Sequence, residues 1–180
     1  MSELEVDVVK LLSVALTHEK QLVLEAELEE YHKATNYVIK QILKLKKKKA
    51  HTIIEEIRED FAESFDPRLA YLKDVVKTAR VTIGEHKHKA KWRRDLRGKM
   101  PKFKQDIMIF SPPLIQITHK AAVLTVKSGG ERVIPFDKHS RNNNAEILSA
   151  IVKNPERLDR VRLRWNKEGY FNIDLRVFKK

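Results

Sequence analysis

A strand with no neighbour to pair with sets the terms for this chain. Between Glu5 and Leu16 the apolar side chains fall on even positions, Val6, Val8, Leu12, Val14 and Leu16, interrupted by Lys10, while Glu5, Asp7 and Ser13 take the other face. That alternation is the period of a β-strand. A strand needs ladder partners for its backbone N–H and C=O groups. The next stretch of strand-like periodicity lies about a hundred residues further on, past a long region of helical spacing.

In that intervening region Thr17 reads as an N-cap, and Leu24, Leu28, Tyr31, Val38, Ile42 and Leu45 follow at spacings of three and four, with Thr35 filling the one gap. The spacing predicts a helix over 18–45. At 1.5 Å per residue it would be about 42 Å long, more than one small core covers, so it needs partner helices. Lys46 to Lys49 read as a solvated helix terminus and loop. Thr52 with Glu55 predicts a capping box for a short helix carrying Ile53, Ile54, Ile57 and Phe61. Asp66-Pro67 predicts the start of another, with the stripe Leu69, Leu72, Val76, Ala79 and Ile83. The three helices are expected to pack as a layer.

Beyond residue 106 the period changes to two. Ile107 to Phe110, Leu114 to Thr118, Ala121 to Val126 and Arg132 to Phe136 are short β-rich runs, divided by Ser111-Pro112-Pro113 and by the hairpin signal Ser128-Gly129-Gly130. Ala145 to Lys153 reads as a helix stopped by Asn154-Pro155. In the last pair of strands Val161, Leu163 and Trp165 share a face with Phe171, Ile173, Leu175 and Val177, across a turn at Gly169. Short strands with one apolar face close most simply into a small barrel, which removes unpaired edges. The expected fold is therefore α+β: a small antiparallel β-barrel of residues 1–17 and 101–180, interrupted by a helical insertion of residues 18–100, with the N-terminal strand returning to the C-terminal sheet.

Charge is unevenly placed along this frame. Residues 1–85 carry 14 Lys and Arg against 16 Asp and Glu, a balance of −2, whereas residues 86–180 carry 23 against 9, a balance of +14. The densest run is a seam between the helical and strand-like regions, HKHKAKWRRDLRGKMPKFK over 86–104, in which nine of nineteen side chains are cationic: Lys87, Lys89, Lys91, Arg93, Arg94, Arg97, Lys99, Lys102 and Lys104. Such asymmetry favours a nucleic acid or another anionic surface as partner, because neutralising backbone phosphates releases counterions. The chain has no cysteine, which excludes disulfides and thiolate zinc modules. It shows neither a signal pattern nor an apolar run of membrane-spanning length, and the expectation is a cytoplasmic protein with no membrane partner and no cofactor.

Further residues are candidates for the same contact. Arg160, Arg162 and Arg164 fall on one strand face about 6.5 to 7 Å apart, a spacing close to that of phosphates along a strand. Either an anionic ligand or local acids, Asp159 and Asp174, must answer them. Trp92 sits among the seam cations, where it stacks on a base or pins the seam as an apolar anchor. No glycine-rich phosphate loop, cysteine nucleophile or paired acids support catalysis. A metal-dependent nuclease built on Asp174 and a protein that self-associates through the helix over 18–45 remain the alternatives.

Three strings in this order carry a resemblance. The helix text EEYHKATNYVIKQIL, with Tyr31 and Asn36-Tyr37, is followed by Gly98-Lys99-Met100-Pro101-Lys102-Phe103-Lys104 and then by RLRWNKEGYFNIDLRV from Arg162 to Val177. Together they resemble the N-terminal half of the TnpB (OrfB) family, transposon-encoded RNA-guided nucleases related to type V CRISPR effectors. The resemblance covers nearly the whole chain. It implies a wedge barrel with an inserted helical recognition lobe, whose basic residues contact guide RNA and the duplex beside the target. It implies no catalysis here, because the family's nuclease domain and zinc ribbon follow this region. The expectation is a transposase-like, non-catalytic protein that binds RNA or DNA, with a full-length transposon nuclease as a further partner.

Overall fold

The computed structural model describes residues 5–46 and 49–179. Residues 1–4 of the N-terminal run and Lys47 and Lys48 of the lysine run lie outside the described residues. Strand β1 (Val6–Leu12) is followed by helices α1 (His18–Leu45), α2 (Ala50–Ser64) and α3 (Leu69–Ala90), then by strands β2 (Ile107–Phe110), β3 (Ile115–Ile117), β4 (Ala121–Thr125) and β5 (Glu131–Pro135), helices α4 (Lys138–Asn143) and α5 (Ala145–Lys153), and strands β6 (Leu158–Asn166) and β7 (Tyr170–Phe178). The chain divides into two compact units, residues 1–26 with 106–180, and residues 27–105. None of the described helices is long and apolar enough to cross a membrane.

In the sheet unit, β1 finds its ladder at the other end of the sequence. It pairs antiparallel with β7, from Val6 opposite Phe178 to Leu12 opposite Asn172, and the sheet runs β1-β7-β6-β2. A second sheet runs β3-β4-β5. The two meet where β1 ends: Ser13 bridges Phe136, the Val14 N–H donates to the Pro135 carbonyl (2.9 Å), and the Asp137 N–H donates to the Leu12 carbonyl (2.8 Å). Both sheets are open, so the closed barrel expected from the sequence is not formed. Between β2 and β3 the chain passes through Ser111, Pro112 and Pro113, and the two prolines have no N–H to offer a ladder.

The core of this unit is the inner face of β6 and β7. Val161, Leu163, Ile173 and Leu175 are fully buried, with Phe171 and Val177 almost so. Each such side chain contributes about 1.5–3 kcal/mol by leaving water. For β1 the inward face is the opposite of the one its apolar pattern suggests. Leu11 (2% exposed) and Ser13 (4%) point to the core, while Val8 (57%) and Leu12 (40%) face solvent. Hydrogen bonding decides this register. The Ser13 hydroxyl accepts from the Phe171 N–H (2.8 Å) and donates to the Val14 carbonyl (2.9 Å). A buried polar group that is satisfied in this way costs little, and one left unsatisfied costs more than an exposed valine.

Past β1, the Thr17 hydroxyl accepts from the Lys20 N–H (3.3 Å), capping α1 at the expected residue. The turn between β6 and β7 folds against this same link. Gly169 adopts a φ of +100°, its carbonyl accepts from the Leu16 N–H (2.8 Å), and a Cβ there would lie 2.8 Å from Gln21 Nε2. Only glycine takes that angle without strain, and a side chain there would also displace the Gln21 amide from the Leu16 carbonyl.

In the helical unit, Tyr31 of α1 is the centre of the core. Its hydroxyl hydrogen-bonds the Thr78 hydroxyl of α3 (2.6 Å), and its ring meets Tyr71 edge-on at 6.3 Å. Phe61 of α2 completes the aromatic cluster against Tyr71 at 6.2 Å. The capping box at Thr52 and Glu55 is not formed, because α2 begins earlier, at Ala50, and Thr52 lies inside its first turn. Asp66 instead prepares α3 from outside: its carboxylate accepts from the Arg68 N–H (2.9 Å) and pairs with the Arg68 guanidinium (2.8 Å), and the helix starts at Leu69.

The Ser13 clasp is testable. Ser13→Ala leaves the buried Phe171 N–H without an acceptor and is expected to lower the unfolding free energy by about 1–3 kcal/mol in urea titration. A change within about 0.5 kcal/mol would show that the ladder alone holds β1.

Candidate nucleic-acid interface

The seam forms where α3 stops. Its last turn carries Lys87 and Lys89, and the chain then leaves through Lys91, Trp92 and Arg93 into a single 3-10 turn, Arg94–Leu96. No glycine caps this end. Arg97 does so with its side chain, donating from Nε to the Ala90 carbonyl (3.0 Å) and from Nη2 to the Lys91 carbonyl (3.1 Å). A guanidinium on the last carbonyls also answers the negative end of the helix dipole. Arg93 is engaged as well, through two hydrogen bonds to Asp95 of 2.7 and 3.2 Å. That hydrogen-bonded guanidinium holds the Asp95 carboxyl below the usual carboxylate range.

Gly98, at φ +76°, turns the chain into an extended strap. Along it Pro101 and Phe103 are buried while Lys102 and Lys104 are exposed, the alternation of a strand laid on a surface. The strap is fastened to α1 by a reciprocal pair: the Phe103 N–H donates to Asn36 Oδ1 (2.8 Å), and Asn36 Nδ2 donates to the Phe103 carbonyl (3.1 Å). His32 Nε2 adds a hydrogen bond to the Gln105 carbonyl. The Phe103 ring packs edge-on against Tyr31 (6.0 Å) and His32 (5.3 Å). Phe103 is therefore the apolar anchor of the seam. Trp92 is not, since it is 81% exposed.

Of the nine seam cations, Arg93 and Arg97 thus answer groups of their own chain. Lys87, Lys89, Lys91, Arg94, Lys99, Lys102 and Lys104 are exposed and, among the described residues, form no ion pair.

In the sheet unit the three arginines of β6 do not behave alike. A bulge between Leu158 and Arg160 precedes them. Arg160 is half-buried and lies 3.8 Å from Asp159, which also pairs with Arg176 of β7 at 3.2 Å. Arg162 and Arg164 are exposed, opposite Asp174 and Asn172 of β7 in register. Asp174 in turn lies opposite Lys10 of β1. It is flanked by a cation on each side yet forms an ion pair with neither within 4.0 Å. Lys10, Arg162 and Arg164, with Leu12, Asn172 and Asp174, line a hollow of about 460 Å³.

Lys10 and Asn172 are the members of this face that sequence reasoning missed. The signal for Lys10 was present, as the one cation interrupting an apolar alternation. It was unreadable without the register that sets it beside Asp174. Among the described residues no three His, Asp or Glu side chains converge as a metal site would require. No protein-family model matches the chain, and no curated protein matches it.

The strap depends on Asn36. Asn36→Ala removes both hydrogen bonds to Phe103 and is expected to cost about 1–3 kcal/mol, with faster tryptic cleavage after Lys99 and Lys102. Unchanged cleavage would show that the Phe103 ring holds the strap unaided.

Proposed function

We propose that this chain is a non-catalytic nucleic-acid-binding module that grips RNA or DNA phosphates with its basic seam and with the Arg162 and Arg164 face of its sheet. The observation that carries the reading is the set of seven exposed seam cations without a carboxylate partner among the described residues. Surface cations kept for solubility are commonly interspersed with acids. Here the seam has one acid, Asp95, and Arg93 occupies it. The hollow between β1, β7 and β6 repeats the pattern on the sheet, with Lys10, Arg162 and Arg164 around a single carboxylate.

The likeness to the N-terminal region of TnpB (OrfB) nucleases supports the same reading. Two of its strings make one physical device, since Asn36 of the helix text holds Phe103 of the Gly98–Lys104 text. On this reading the sheet unit corresponds to the family's wedge and the helical unit to its recognition lobe.

Self-association through α1 has less to rest on. Leu24, Leu28, Tyr31, Val38 and Ile42, the stripe that would form the contact, are buried within the chain. A nuclease centred on Asp174 has as its register neighbours two cations, Lys10 and Arg162, where a metal would need further acids.

Phosphate binding makes affinity fall steeply with salt. If six or more phosphates are engaged, a gel-shift titration is expected to show a loss of about 10³-fold or more between 50 and 200 mM salt. No detectable binding at 50 mM would discard the proposal. Replacing Arg162 and Arg164 together by Gln is expected to weaken binding severalfold and to leave the melting temperature within about 2 °C, because both side chains are exposed and unpaired. A large drop in melting temperature would make them structural.

A further inference from the structure

Where the seam turns back along α1, the helical unit keeps a trough of about 830 Å³. Its floor is aliphatic, made by Leu43 of α1, Ile83 and Ala90 of α3, and Leu96 and Met100 beyond the helix. Its rim is cationic. Lys87 and Lys91 stand four residues apart, on one face of the end of α3, and Lys99 follows the Gly98 turn; no carboxylate is among the lining residues. Met100 is 49% exposed on this floor.

We infer that this trough takes one unpaired nucleotide of a bound strand, with its base on the Leu96 and Met100 floor and its flanking phosphates at Lys87, Lys91 and Lys99. The inference rests on the nucleic-acid reading above and narrows it from phosphate binding in general to single-stranded segments. Both halves of the lining need an occupant. A duplex offers only phosphates, because its bases are stacked on one another, so the aliphatic floor would stay wet. A splayed nucleotide presents an apolar ring face and two anions at once. The volume falls within the range of roughly 300–1,000 Å³ of small-ligand sites. Trp92, next to Lys91 in the chain and 81% exposed, adds a stacking surface for an adjacent base. An acidic amphipathic helix would match the charge of the rim as well, and the test separates it from a nucleotide strand.

The test compares five probes at 100 mM salt: a single-stranded 12-mer, its duplex, the same strand with abasic sites at its centre, a mononucleotide, and an acidic helical peptide. The single strand is expected to bind about tenfold or more tighter than the abasic strand and the duplex. Met100→Ser, at a half-exposed site where the fold tolerates a small polar residue, is expected to lower single-strand affinity about five- to tenfold and leave duplex affinity unchanged. The Met100 methyl resonance should shift on titration with the single strand. Equal affinity for intact and abasic strands, with Met100→Ser silent, overturns the inference while leaving the phosphate reading intact. Loss of binding to every probe would sink that reading itself. A mononucleotide that binds as tightly as the strand overturns the strand as the source of the nucleotide. An acidic helical peptide that binds and is sensitive to Met100→Ser, where oligonucleotides are not, assigns the trough to a protein.

Discussion

The short stretch from Glu5 to Val14 holds the sheet unit together, because it offers one edge of its backbone to each of two sheets. The Ser13 N–H bonds the Phe171 carbonyl of β7, and the Lys179 N–H bonds the Glu5 carbonyl, so odd positions face β7. Even positions face the other way, and at Leu12 and Val14 they are taken up by Asp137 and Pro135 at the end of β5. Everything else in the unit follows from that division. A strand paired along one edge and engaged at its last residues on the other cannot choose its buried face by hydrophobicity alone. The parity of its hydrogen bonds and the hydroxyl of Ser13 choose it, and Val8 and Leu12 are left outside.

That choice has a consequence for charge. Because the even face of β1 is the outer one, Lys10 comes to lie beside Asp174, on the same face as Arg162 and Arg164. Had the apolar pattern prevailed, Lys10 would point inward, at a desolvation cost far beyond what a valine gains from burial. The cation thus helps to set the register as well as the electrostatics of the face. Asp159 shows the complementary case, as one carboxylate near both Arg160 and Arg176 offsets one of the two charges at the end of the same strand pair. The cationic character of the sheet is therefore concentrated toward Arg162 and Arg164.

How much of this was legible in the sequence depended on whether a residue's role was local. The bounds of α1 could be read because Thr17 caps it and its stripe runs, with Thr35 in its one gap, to Leu45, both properties of a single helix. The helix α5 and the inward faces of β6 and β7 were legible for the same reason. The barrel was not, since closure depends on whether β2 and β3 can pair across Ser111-Pro112-Pro113, a question that periodicity does not address. Trp92 and Phe103 could not be sorted from spacing either. Both are aromatic side chains within one basic run, and only the presence of Asn36 opposite the Phe103 backbone makes one the anchor and leaves the other in water.

The strap from Gly98 to Lys104 explains how a basic segment at such a junction can be fastened to its unit and still keep its cations in water. An extended chain alternates its side chains, so Pro101 and Phe103 supply apolar contact while Lys102 and Lys104 stay solvated a residue away. A helix in the same place would distribute its cations around a cylinder and bury some of their stems. Extension lets every second residue bind inward without drawing its neighbours out of water. Arg97 is already extended before it (φ −67°, ψ 133°), and the positive φ at Gly98 completes the turn, closed by the Lys99 N–H on the Leu96 carbonyl (3.3 Å), from which the strap sets out. Charge density and attachment are thus separated by backbone conformation, and the cations of the strap owe their exposure to the residues between them.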